Sequence, residues 1–214
     1  RIQAEMPRGR FMPPPNEWRG LERTHRILSE GGDLHVFALA DSIVNDMTRS
    51  GWLHGLGAAW PKARVRGTVL VRGSTGCGYY REENRVARYI APRRPDLILI
   101  GGISQRGDAE SIREVIRQVR ADCAETEFLL LTGAFGNVDP YDTSALALAP
   151  CSGTGPWGEA LRRLAAEERC AFLDLTTPWA EYVRSSGLHP HRFYRDRVHA
   201  NEYGEQILGR ILVA

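Results

Sequence analysis

The chain has 214 residues, of which 43% are hydrophobic and 25% charged, and its formal net charge is +2. These values predict one full-sized soluble globular domain and exclude extended disorder, collagen-like repeats and coiled coil. The basic residues, almost all arginine, are scattered, so nucleic acid is not an expected partner. No stretch approaches the roughly 18 consecutive apolar residues of a membrane span, so a membrane is not expected either.

The first strand is predicted at Leu34–Ala40, a short apolar run that stops at a polar pair. Before it, residues 1 to 20 are rich in proline, arginine and glycine, and we expect an extended lead-in followed by a domain over residues 21 to 214. The chain begins with Arg1, which leaves room for further domains N-terminal to it.

Downstream, short apolar runs alternate with segments of helical periodicity, apart from one long loop over Ala134–Pro156. Because parallel strands need helical crossovers, this alternation predicts an α/β fold, doubly wound, around a mostly parallel five-stranded sheet. The predicted elements after the first strand are, in chain order, helix Ile43–Ala59, strand Ala63–Arg72, helix Tyr80–Ile90, strand Leu97–Ile100, helix Ala109–Asp122, strand Phe128–Leu131, helix Trp157–Glu168, strand Ala171–Leu175, and helices Pro178–Ser185 and Asn201–Val213.

Ligands of such sheets bind at the carboxyl ends of the strands, where Asp41 and Ser42 follow the first strand. A serine at the start of a helix is well placed for a nucleophile, because the helix N-terminus stabilises negative charge. A plain helix cap is the other interpretation of this Asp-Ser pair, and it is the commoner one for an isolated pair.

A second candidate motif stands before the last predicted helix, where Asp196 precedes His199 by three residues. A carboxylate at this spacing can hold the imidazole N–H and fix the tautomer that accepts a proton from serine. Arginines flank Asp196 on both sides, so a surface salt-bridge cluster remains an alternative.

Taken together, a serine after the first strand and an Asp-x-x-His before the last helix resemble the SGNH, or GDSL, hydrolase family over about residues 34 to 212. The resemblance implies a flavodoxin-like, three-layer α/β/α fold and a triad of Ser42, His199 and Asp196. Its Gly-Asp-Ser block appears here as Ala40-Asp41-Ser42. The turn Gly73-Ser74-Thr75-Gly76 is similar to the second block, which implies that Gly76 is the oxyanion-hole glycine.

The third block departs from the family pattern, because the chain has Gly101-Gly102-Ile103-Ser104-Gln105 where the family has Gly-x-Asn-Asp. By its distance from the start of the strand, Gln105 falls about where the asparagine stands, and its side-chain amide offers the same donor. Ser104 and Ile103 are competing assignments. The expected oxyanion hole is therefore the Ser42 amide, the Gly76 amide and the Gln105 side chain.

The resemblance implies a serine esterase without cofactor or metal that acts on short-chain esters, O-acetyl groups on carbohydrate in particular, in a secreted or periplasmic location. Two alternatives stay open: an acyltransferase with the same triad, and a non-catalytic binding module with a degenerate site. The four cysteines, Cys77, Cys123, Cys151 and Cys170, have no zinc-binding spacing and could form up to two disulfides. His189 and His191 have a spacing that could bind a metal, but no nearby pattern supports one.

Overall fold

The protein is described by a computed structural model that covers residues 2–15, 17–105, 107–134, 138–149 and 151–214. Its core is a sheet of five strands in the order β2-β1-β3-β4-β5, and all four pairings are parallel. The strands are β1 (Gly32–Ala40), β2 (Ala63–Val71), β3 (Leu97–Ile100), β4 (Glu127–Leu131) and β5 (Ala171–Leu173).

Ten α-helices are present in the described ranges; α3 to α8 lie between strands, whereas α9 and α10 follow the last strand. They are α1 (Ile2–Glu5), α2 (Glu22–Glu30), α3 (Ser42–Arg49), α4 (Trp52–Ala59), α5 (Cys77–Tyr80), α6 (Ala109–Asp122), α7 (Thr143–Leu148), α8 (Pro156–Glu167), α9 (Thr176–Ser186) and α10 (Glu202–Val213). A single π turn (Val86–Ile90) and short 3₁₀ segments (Ala91–Arg93 and Pro190–Phe193) complete the regular structure.

Each face of the sheet is covered by its own hydrophobic core, since side chains alternate between the two faces along a strand. Val36 and Ala38 of β1 pack with α3, α9 and α10 on one face. Phe37 and Leu39 of the same strand pack with α6 and α8 on the other. The predicted three-layer α/β architecture is thus confirmed, with the flavodoxin-like strand order.

Three parts of the chain differ from the sequence-based expectation. The predicted helix Ile43–Ala59 is two helices, because Gly51 adopts a left-handed φ of 75° between α3 and α4. The predicted helix Tyr80–Ile90 is only the short α5 and a π turn, separated by Glu83 and Asn84 at positive φ. Within the lead-in, the turn α1 is helical where an extended chain was expected.

The rest of the lead-in lies against the domain. Tyr182 on α9 donates a hydrogen bond from its hydroxyl to the Pro7 carbonyl at 2.6 Å, and Phe11 and Trp18 pack on the core. No helix of the described residues is long and apolar enough to cross a bilayer.

The order of the strands reverses at the boundary between β1 and β3, where the chain leaves β1 toward one edge of the sheet and β3 toward the other. In open α/β sheets a crevice forms at this boundary, outside the carboxyl ends of the strands. Ser42 and the loop that starts at Gly101 lie at these two strand ends.

Candidate active site

Ser42 is the first residue of α3, directly after β1, and its side chain is partly exposed. Asp41 caps the helix, because its Oδ1 accepts a hydrogen bond from the Ile43 amide at 3.0 Å. Its Oδ2 accepts from the amides of Ile103 at 2.9 Å and Ser104 at 2.7 Å. The buried Asp41 carboxylate therefore joins the ends of β1 and β3, which fixes Ser42 at the crevice while leaving its hydroxyl accessible.

The structure brings His199 to Ser42 across 157 residues of sequence, with 2.9 Å between His199 Nε2 and Ser42 Oγ. On the other side of the ring, His199 Nδ1 lies 2.9 Å from Asp196 Oδ2. His199 is the only ion-pair partner of Asp196 within the ranges that the structure describes. The two flanking arginines do not bind Asp196, which removes the surface salt-bridge interpretation of this motif.

Backbone hydrogen bonds within the same loop favour the ionised form of Asp196. The amides of Val198 and His199 both donate to Asp196 Oδ1 at 2.7 Å, and these bonds lower the pKa of Asp196 to about 2. An ionised carboxylate can only accept, so His199 donates its Nδ1–H to Asp196. With that hydrogen on Nδ1, the other ring nitrogen, Nε2, faces the Ser42 hydroxyl and can accept its proton, the arrangement that a general base requires.

Gly76 lies just before α5, in the turn that follows β2. Its backbone is extended, with φ −109° and ψ −166°, so any residue could adopt it. The constraint on Gly76 is close approach: a Cβ here would stand 2.6 Å from the Ser104 carbonyl oxygen and 2.8 Å from Gln105 Oε1. Only glycine lets this turn pack against the loop after β3.

Gln105 has a bracing contact that the sequence did not reveal. Its Oε1 accepts from the Cys77 amide at 2.9 Å, and its Nε2 donates to the Gly101 carbonyl at 3.1 Å. Both partners are backbone groups with fixed roles, which settles the orientation of the amide. The buried side chain thus ties the Gly76 turn to the end of β3. Its Nε2 carries two N–H groups, of which the bond to Gly101 uses one.

The backbone amides of Ile103 and Ser104 both donate to Asp41, so neither backbone group is available to an oxyanion. The Ser104 hydroxyl is not engaged by these bonds, so the choice between the Ser104 and Gln105 side chains stays a prediction. The amides of Ser42 and Gly76 lie at or just before the first residue of a helix, where the helix itself supplies no acceptor.

The remaining candidates from the sequence lie apart from this chemistry. His189 Nδ1 accepts from the His191 amide, and the two rings pack edge to face. Among the described residues, no group of three or more His, Cys, Asp or Glu side chains is arranged to hold a metal ion. All four cysteines are described and are free thiols; burial raises the pKa of Cys77 to about 12, which leaves it a poor nucleophile.

Asp46 is a residue at this site that the sequence interpretation missed. It lies on α3 four residues after Ser42, is 1% exposed, and contacts both ends of the loop that carries Asp196 and His199. The available signal was its position, because a residue four places along a helix lies on the same face as the serine.

Comparison with known family models and with curated proteins finds no match. Among solved structures, an acetyl xylan esterase superposes with a TM-score of 0.64 at 17% identity, over 84% of this chain and 98% of its own. A GDSL-like lipase from Parabacteroides merdae gives 0.60 at 16% identity, over 84% and 93%. A two-domain esterase active on acetylated mannans gives 0.67 at 14% identity, over 92% of this chain and 52% of its own.

These likenesses show that the chain has the fold of the SGNH, or GDSL-like, hydrolases, as the sequence resemblance implies. At such identities the comparison concerns the fold, and the chemistry rests on the residues of the site.

Proposed function

We propose that the protein is a serine esterase of the SGNH type that hydrolyses short-chain esters, in particular O-acetyl groups on carbohydrate. The observation that carries the proposal is the continuous hydrogen-bonded chain from Ser42 Oγ through His199 to Asp196, with 2.9 Å at each step. A degenerate binding module has no need to hold three polar side chains, one of them an ionised carboxylate, in this order at the crevice of the fold.

In the proposed reaction Ser42 Oγ attacks the acyl carbon while His199 Nε2 takes its proton. The electron pair of the carbonyl moves to its oxygen, where the amides of Ser42 and Gly76 stabilise the negative charge. The second N–H of Gln105 is the proposed third donor. His199 then gives the proton to the departing alcohol oxygen, which leaves an acyl group on Ser42.

Water completes the cycle. His199 accepts a proton from the water, the hydroxide oxygen adds to the acyl carbon, and the proton passes back to Ser42 Oγ as the acid departs. Throughout, Asp196 stays ionised and accepts the Nδ1–H bond, which strengthens when the ring becomes an imidazolium. No step requires a cofactor.

The preference for acetyl groups on carbohydrate is supported by two of the structural neighbours, which are described as an acetyl xylan esterase and an esterase active on acetylated mannans. It is also supported by the sequence, which has no apolar lid segment suited to long acyl chains.

The test is acetate release from acetylated xylan and acetylated mannan, together with turnover of acetyl, butyryl and octanoyl p-nitrophenyl esters. We expect acetyl turnover to be fastest, to be abolished by Ser42→Ala, and to be unchanged by Ser144→Ala, an exposed serine on α7. Faster turnover of octanoyl than of acetyl esters would overturn the acyl preference, and full activity of Ser42→Ala would overturn the esterase itself.

A further inference from the structure

The loop that carries Asp196 and His199 is largely exposed and is closed on itself. The Arg195 amide donates to the His199 carbonyl at 3.0 Å, and Tyr194 and Ala200 form an antiparallel bridge. These contacts give the loop its shape. They do not connect it to α3, where Ser42 lies, so the distance between Ser42 and His199 needs a further determinant.

Asp46 provides a direct connection between the loop and α3. Its Oδ1 accepts a hydrogen bond from Arg195 Nη2 at 2.9 Å, and its Oδ2 accepts from the Ala200 amide at 3.0 Å. Arg195 directly precedes Asp196, and Ala200 directly follows His199. One carboxylate therefore binds both ends of the segment that holds the proposed base and its orienting acid.

The guanidinium of Arg195 closes the arrangement, because its Nη1 donates to the Ala200 carbonyl. Arg195 thus bonds to both the carboxylate and the end of the loop, a forked geometry that arginine provides and lysine does not. Glu205 on α10 adds a second, more distant carboxylate at 3.7 Å from Arg195 Nη1.

The burial of Asp46 makes this contact informative. A carboxylate that is 1% exposed loses its hydration, and an apolar side chain of similar volume often stabilises such a position as well or better. The charge is therefore poorly explained by stability alone. Its position on the same face of α3 as Ser42, one turn away, relates it directly to the nucleophile.

We propose that Asp46 and Arg195 act as a positioning clamp that holds the Asp196–His199 loop against α3 and so sets the distance between His199 Nε2 and Ser42 Oγ. The inference rests on the esterase proposal and assigns no contact with substrate to either residue. Because proton transfer depends steeply on geometry, a displacement of about 1 Å can lower the rate by about 10²-fold.

The test compares Asp46→Asn, Arg195→Gln and the double variant by the rate at which a fluorophosphonate labels Ser42 and by kcat and KM for p-nitrophenyl acetate. Both single variants are expected to lower the labelling rate and kcat by about 10- to 100-fold, with KM within about twofold. Because the two residues act as one unit, the double variant should be no slower than the slower single variant.

Two further variants separate positioning from folding. Arg49→Gln is the matched control, since Arg49 lies 3.7 Å from Asp46 and 3.9 Å from Glu205 on the exposed side of the network. It should leave kcat within about twofold. Arg195→Lys keeps the charge without the fork and should recover part of the rate lost in Arg195→Gln. Arg195 is 40% exposed, so its variants are expected to fold even if Asp46→Asn does not.

The outcomes distinguish the two proposals. If Asp46→Asn and Arg195→Gln are labelled as fast as wild type, the clamp is overturned and the esterase proposal stands. The same holds if Arg49→Gln loses as much of the labelling rate as they do. Losses that multiply in the double variant overturn the clamp as a unit. Failure of Ser42 in the wild-type protein to react overturns the esterase proposal, and the clamp with it.

Discussion

Replacement of Gly76 by alanine tests the proposed oxyanion turn. The added Cβ would stand 2.6 Å from the Ser104 carbonyl oxygen, whereas an ordinary contact begins at 3.4 Å, so the two must separate by about 0.8 Å. Ser104 is held through its amide by Asp41, and Gln105 is held by Gly101. We therefore expect the Gly76 turn to move, and its N–H to leave the oxyanion position with it.

Loss of one oxyanion donor lowers kcat by about 10²- to 10³-fold, so Gly76→Ala should fall near the lower end of that range. The overpacking should also lower the free energy of unfolding by about 1–3 kcal/mol. The assay is kcat for p-nitrophenyl acetate beside a urea unfolding curve.

Gly73→Ala is the matched control for this experiment. It lies in the same turn, and a Cβ at Gly73 would meet no atom within 4 Å, so its kcat and unfolding curve should match wild type. If Gly76→Ala retains kcat within about twofold of wild type, the role given to this turn is wrong.

Three further predictions concern neighbouring groups. Gln105→Leu leaves the Cys77 amide and the Gly101 carbonyl without their partner and should lower the free energy of unfolding by about 1–3 kcal/mol for each group; an unchanged urea midpoint would contradict the bracing role. Asp196→Asn should lower kcat by about 10³- to 10⁴-fold. Because amide hydrogen bonds from His199 and Val198 lower the pKa of Asp196 to about 2, its stabilising contribution is complete above about pH 4 and is lost as the pH falls toward 2; a difference in the free energy of unfolding between wild type and Asp196→Asn that has already vanished at pH 4 would contradict this pKa. Iodoacetamide at about pH 8 should leave Cys77 unmodified in the native protein, since burial raises its pKa to about 12; peptide mapping showing a carboxamidomethyl group there would disprove the inert thiol.

Most of the strands could be predicted from the sequence because buried parallel strands are short, continuous apolar runs that stop abruptly at polar residues. The edge strand β2 has no buried residue and was recognised by its alternating pattern. The bounds of β3 were predicted without error, and the predicted ends of the other strands lie within two residues of those observed. The helix α6 was equally clear, since apolar residues recur on one face.

Elements without such patterns could not be predicted. The break between α3 and α4 depends on the left-handed backbone of Gly51, and glycine inside a helical pattern is also compatible with an unbroken helix. The short α7 lies in a segment expected to be a loop, where Asp142 caps a helix of only six residues. Parts of that loop, at positions 135–137 and 150, lie outside the described residues.

The candidate site also contains residues that could be predicted from the sequence and residues that could not. Ser42, His199 and Asp196 were identified because their spacing relative to the strands resembles a known family, and the fold brings them together. The contacts of Gln105 and Asp46 could not be found, because each depends on a partner many residues away that only the folded chain brings near. The close approach of Gly76 to the Ser104 carbonyl could not be predicted either, because it also depends on a segment far away in the sequence.

The central claim is that Ser42 is a nucleophile activated by His199. The most direct test is intact-protein mass spectrometry after reaction with a fluorophosphonate, on wild type, Ser42→Ala and His199→Ala. We expect one adduct per wild-type chain, mapped to Ser42, no adduct on folded Ser42→Ala, and labelling of His199→Ala slower by at least about 10³-fold. Folded wild-type protein that takes up no adduct, or labelling of Ser42→Ala at the wild-type rate, would contradict the claim.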